Sequence, residues 1–98
     1  MARVETSPLT QERIQHRLAW LRAEWSSVPG YVKAWDSWTE DEKLDFVLEA
    51  GIREDYLAGA LDWAQRGLLK PAQLAELREI EAIACANRPL LEPLLAED

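Results

Sequence analysis

Cysteine and histidine occur once each, at Cys85 and His16, in a chain of 98 residues. One cysteine excludes a disulfide within the chain, and one cysteine with one histidine excludes a Cys/His zinc site built from a single copy. Glycine is scarce at four residues, and none of them belongs to a phosphate-cradling loop. Neither a G-x-S-x-G elbow nor an H-E-x-x-H helix is present. Long apolar runs are missing as well. No stretch approaches the roughly 20 residues that cross a bilayer, and the opening MARVETSPLTQER has no apolar segment of signal-peptide length. Strict alternation of apolar and polar residues persists nowhere, so no strand is expected. These absences predict a cytoplasmic, non-enzymatic chain with no cofactor, no metal site and no membrane contact.

Helical pattern and uneven charge are what the sequence does contain. The net charge is −7, and residues 36–62 alone hold nine acids against two bases. A field of that sign repels the nucleic-acid backbone and favours basic partners. Helix signals place an all-α bundle of about four helices, near 8–27, 40–50, 53–66 and 71–87, in one domain over 1–98. In the first, Ser7-Pro8 and Thr10 compete as the start, and Ile14, Leu18, Leu21, Trp25 and Val28 form a seam spaced 4, 3, 4, 3. The second opens on Thr39-Glu40-Asp41-Glu42, a capping box in which hydroxyl and carboxylate satisfy each other's backbone N–H. Gly51 and Gly67 are suited to closing the second and third helices in the left-handed conformation, and Arg88-Pro89 to ending the fourth. Leu90 to Leu95 is then a greasy tail broken by Pro93. Short turns after Gly51 and Gly67 resemble a helix-turn-helix unit in outline. The fourth helix, however, sets only Lys70, Arg78 and Arg88 against Glu76, Glu79 and Glu81, too few cations for a DNA-reading helix.

Three departures from plain amphipathic pattern are candidate sites. Trp20 falls opposite the apolar seam of its helix, beside Arg13, His16 and Arg17, an aromatic–arginine grouping common at protein interfaces. The bland alternative is that this helix is sandwiched inside the bundle. On the second helix Glu42, Asp45 and Glu49 share one face, edged by Phe46 and by Trp35 or Trp38, while Leu44, Val47 and Leu48 are assigned to the core. Part of that acid is explained by the helix macrodipole alone. On the fourth helix Glu81 projects into the stripe of Leu74, Leu77, Ile80, Ala84 and Cys85, where a carboxylate needs a partner or an exit to solvent. An arginine from the first helix is the expected partner, and Cys85 is expected to be a small buried hydrophobe.

The leading functional expectation is a protein-binding adaptor, inhibitor or regulatory subunit acting through these aromatic and charged surfaces. The alternative is an acidic mimic of nucleic acid that blocks a DNA- or RNA-binding protein. A third reading is a metal-dependent enzyme built on the clustered carboxylates. The basic outer face of the first helix complements the acidic middle of the chain, which is compatible with a homodimer and equally with the two facing each other within one bundle.

Overall fold

The apolar seam of the first helix is the buried spine of the molecule. A computed structural model describes residues 10–95. Helix α1, Gln11–Ser26, is capped by Thr10, whose hydroxyl accepts from the Arg13 N–H at 3.1 Å. The competing start at Ser7-Pro8 lies outside the described residues. Ile14, Leu18, Leu21 and Trp25 are fully buried, and Val28 carries the seam into α2, Val28–Ala34. The two helices are separated only by Ser27. Pro29 falls in the first turn of α2, where its missing N–H costs nothing, so the Val-Pro-Gly stretch bends the chain without ending helical structure. A 3-10 turn, Trp35–Ser37, follows.

The capping box forms as its residues dictate: the Thr39 hydroxyl accepts from the Glu42 N–H at 3.1 Å, and the Glu42 carboxylate accepts from the Thr39 N–H at 2.8 Å. The helix it opens, α3, runs unbroken over Glu40–Gln65. The expected break at Gly51 is therefore corrected. Gly51 keeps helical geometry, and only Gly67, with φ of 75°, adopts the left-handed conformation. An isolated glycine lowers helix stability by roughly 1 kcal/mol against alanine. That cost is small beside the packing of a face shared by residues on both sides of it.

Helix α4 spans Pro71–Leu95 and passes through Pro89 and Pro93, so the predicted stop at Arg88-Pro89 is also corrected. Two prolines spaced by four residues free the carbonyls of Cys85 and Pro89, both on exposed residues where water can bind them. The last turns are held from the other side. Leu91 is buried, the Asn87 amide donates to the Trp25 carbonyl at 2.8 Å, and Arg88 makes two hydrogen bonds to Glu54 at 2.8 and 3.0 Å. At the opposite end of α4, buried Gln73 accepts from the Lys70 N–H at 2.8 Å and donates to Gln11 and Gln15 at 2.8 and 2.9 Å. This amide ties the start of α4 to α1.

The described residues thus form an all-helical bundle without strands. Helix α1 packs chiefly on α4 and also on α3. Around it lie Trp35, Phe46, Leu57, Ala60, Leu69, Leu77, Ile80, Ala84 and Leu91. No helix among the described residues is long and apolar enough to cross a membrane.

The continuity of α3 makes a prediction with a definite sign. A Cβ at Gly51 would meet no atom within 4 Å. Gly51→Ala should therefore stabilise the protein by about 0.5–1 kcal/mol in urea denaturation. Were Gly51 a left-handed helix terminus, the same change would destabilise. Gly67→Ala, in open space but at positive φ, should cost about 1–2 kcal/mol.

Candidate functional site: an aromatic cleft and an apolar stripe on one helix

Four aromatic residues from consecutive elements meet at the start of α3. Tyr31 comes from α2, Trp35 from the 3-10 turn, Trp38 from the extended residue before the cap, and Phe46 from the second turn of α3. Phe46 lies 5.3 Å from Tyr31, 5.7 Å from Trp35 and 5.5 Å from Trp38 between ring centroids. Tyr31 and Trp38 are 6.1 Å apart, and the two tryptophans 5.8 Å. Tilted and edge-on arrangements of this kind add to the energy of burial. The turn is closed by the Trp38 N–H donating to the Trp35 carbonyl at 3.1 Å, and the capping box then fixes where Phe46 points. Trp35 and Phe46 are buried, whereas Tyr31 and Trp38 are half-buried.

The half-buried rings wall an open cleft of about 290 Å³ lined by Tyr31, Trp38, Phe46, Glu42, Asp45 and Glu49. Positions 42, 45, 46 and 49 follow i, i+3, i+4, i+7, so one helix face supplies both the aromatic floor and the acidic rim. Asp45 and Glu49 are exposed and make no ion pair among the described residues. Lys43 does not line the cleft. Its ammonium lies 3.8 Å from Glu40 and 5.3 Å from the Trp35 ring.

The rest of the α3 surface departs from expectation. Leu44, Val47 and Leu48, assigned to the core from the sequence, are 57%, 41% and 63% exposed, and Ile52 is 46% exposed. The buried positions are Phe46, Ala50, Arg53, Leu57 and Ala60. At 100° per residue, Asp45 and Glu49 fall between the apolar stripe and the aromatic cleft.

Trp20 is exposed but not isolated. It meets Tyr56 of α3 edge-on at 5.2 Å, and the Arg17 guanidinium sits 3.7 Å above the Tyr56 ring. With Arg13 and His16 these residues line an open groove of about 400 Å³. Helix α1 is thus sandwiched, and its outer aromatic and arginine are engaged with α3. Glu81 is half-exposed rather than buried, and its neighbour is Arg78 of the same helix at 3.9 Å. The arginine of α1 goes elsewhere: Arg22 contacts Glu79 at 2.6 Å and Glu76 at 3.4 Å. Those hydrogen bonds, Glu79 first, raise the Arg22 pKa above the ordinary value, and Glu54 does the same for Arg88. Cys85 is exposed, because α4 buries the row Leu77, Ile80, Ala84 and Leu91, one helical step away. Among the described residues no group of three or more His, Cys, Asp or Glu side chains is placed to hold a metal ion.

Arg53 carries no signal in the sequence pattern and is the least ordinary residue in the core. It is 1% exposed, its Nη1 lies 3.8 Å from Glu24, and its guanidinium faces the Trp25 and Phe46 rings at 5.2 and 5.3 Å. Nε and Nη2 make no hydrogen bond to protein. Removing the one carboxylate that neutralises a buried guanidinium is costly, whereas replacing the cation itself with an apolar group of similar reach is tolerated. Glu24→Gln should therefore destabilise by about 1–3 kcal/mol, and Arg53→Met by less. Equal losses in thermal or urea denaturation would contradict this order.

Comparison with known protein families, with curated proteins and with solved structures returns no match, so the surface chemistry of α3 is the basis for a functional reading.

Proposed function

We propose that this protein is a protein-binding module, and that the N-terminal half of α3 is its docking face for a basic amphipathic segment of another protein. The observation that carries the reading is the exposure of Leu44, Val47, Leu48 and Ile52 along one side of a helix whose other side buries Phe46, Ala50, Arg53, Leu57 and Ala60. Single exposed leucines need no explanation, but a contiguous apolar stripe does. Asp45 and Glu49 run beside it, Asp41 and Asp55 extend the charge, and all four are exposed. Apolar contact supplies affinity in such a face, and charge supplies orientation and on-rate. The module works by association, as an adaptor, inhibitor or regulatory subunit, and catalysis is no part of the reading.

The acid excess of residues 36–62 also favours a second reading, a mimic of nucleic acid that occupies a DNA- or RNA-binding protein. The two differ in what they require of the leucines. A mimic uses its carboxylates and is served by more of them, while a hydrophobic docking face is destroyed by a charge at its centre. Leu48→Glu separates them. The residue is exposed and glutamate is a good helix former, so stability should change by no more than about 0.5 kcal/mol. For the docking face, capture of the partner from lysate should fall at least about tenfold, the loss of one well-placed contact. Unchanged or stronger capture, competing with nucleic acid and weakening steeply with salt, would identify a mimic instead. Conversion of a wild-type dimer to a monomer by the same change would make a second copy of this chain the occupant.

A further inference from the structure

We propose that the cleft between Tyr31, Trp38 and Phe46 receives an arginine side chain of the partner protein, its guanidinium stacked on the rings and hydrogen-bonded to Asp45 and Glu49. The proposal rests on the reading of α3 as a docking face and states what that face selects. Its first support is how this chain treats its other aromatic residues. Tyr56 has Arg17 above it at 3.7 Å, Trp35 has Lys43 at 5.3 Å, and Trp25 has Arg53 and Arg88 at 5.2 and 5.1 Å. Phe46 is served by Arg53, which is buried, paired with Glu24 and absent from the cleft lining. Trp63 has Arg17 at 5.9 Å. Trp20, Tyr31 and Trp38 have ring neighbours but no cation over the ring among the described residues, and of these Tyr31 and Trp38 wall the acid-rimmed cleft. A cation over an aromatic face is attracted by its quadrupole, more so where water is partly excluded.

The rim adds charge complementarity. Glu42 uses one carboxylate oxygen to accept from the Thr39 N–H at 2.8 Å, while Asp45 and Glu49 have no ionic partner among the described residues. Three acids beside aromatic walls, with no basic residue in the lining, make a site of negative potential open on one side. A guanidinium is planar, weakly hydrated and forked, so it can stack on a ring and reach two carboxylates at once, which a compact ammonium does poorly. The position is also right for one ligand. Asp45 and Glu49 separate the cleft from the stripe of Leu44, Leu48 and Ile52, so a helix lying on the stripe can turn a flanking arginine into the cleft.

The experiment is a titration of isotope-labelled protein with N-acetyl-arginine amide, its lysine counterpart and its neutral isostere, N-acetyl-citrulline amide, followed by NMR. The arginine probe should shift the Trp38 indole N–H and the amides of residues 42–49, the lysine probe should do so more weakly, and citrulline should leave them in place. Asp45→Asn with Glu49→Gln, both exposed and outside the core, should weaken the arginine probe by about threefold to tenfold. Leu48→Glu should retain probe binding even where it abolishes partner capture. Equal shifts from arginine and citrulline, shifts spread over all acids with Trp38 unmoved, or no effect of the double change would each overturn the proposal. Probe binding without partner capture removes the docking face and keeps the cation cleft. Partner capture that ignores both Asp45→Asn with Glu49→Gln and Trp38→Leu, in folded variants, does the reverse.

Discussion

A single rotational phase has to serve all 26 residues of α3, and the surface of the molecule follows from which phase that is. The helix is roughly 39 Å long at 1.5 Å per residue, and its second half is anchored by Leu57 and Ala60 against α1. Continuing that face toward the N-terminus at helical spacing leads through Arg53 and Ala50 to Phe46. The competing phase would bury Leu44, Leu48 and Ile52, which looks better over two turns. Continued toward the C-terminus, it would bury Asp55 and Asp62, and unpaired carboxylates in a core cost several kcal/mol each. One inward guanidinium beside Glu24 and two aromatic faces is the cheaper solution. The exposed leucines are its consequence.

The same phase explains why α1 needs two working sides. Its apolar seam packs chiefly on α4, and the adjoining side meets α3 through Arg17 on Tyr56, Trp20 against Tyr56, and Glu24 beside Arg53. These polar heads and ring faces flank the apolar core that Leu57 and Ala60 share with the seam. Arginine suits this layer because its stem fills space while its plane lies on a ring. The long-range ion pairs of Arg22 and Arg88 sit at the margins and fix α4 to α1 and to α3. They orient the helices, while burial of the seam supplies most of the stabilisation.

Much of this was legible in the residues themselves. The 4, 3, 4, 3 seam from Ile14 to Val28, the Thr39–Glu42 capping box and the left-handed turn at Gly67 are local rules with local residues. The structure also gathers Trp38, Phe46, Glu42, Asp45 and Glu49 around one cleft, with Trp35 behind it. Gly51 is where local reading failed. A glycine after an apolar turn satisfies the rule for a helix end, and its tolerance within a helix depends on packing partners far along the chain. Once a break is placed there, each half can be phased on its own, and Leu44, Val47 and Leu48 turn inward by default. One boundary thus produced both errors on α3. Pro89 and Pro93 misled in the same manner, because contacts from Trp25 and Glu54 decide whether the helix continues. Arg53 and Gln73 gave no signal, since their burial depends on partners 29 and 62 residues away.

The proposed docking surface is what the core left over. Phase brings Phe46 inward far enough to floor a cleft, while the residues one step around the helix, Asp45 and Glu49, stay at its rim and Leu48 and Ile52 beyond them. Aromatic, acidic and apolar strips therefore lie side by side on one rigid helix, in an order set by 100° steps. A partner complementary to all three would carry apolar residues flanked by arginine, which is the composition of a basic amphipathic helix. The strips cannot be moved independently, because rotating α3 to hide the leucines would expose Phe46, dissolve the cleft and carry Asp55 and Asp62 inward. Stability of the fold and availability of the surface are thus set by the same angle.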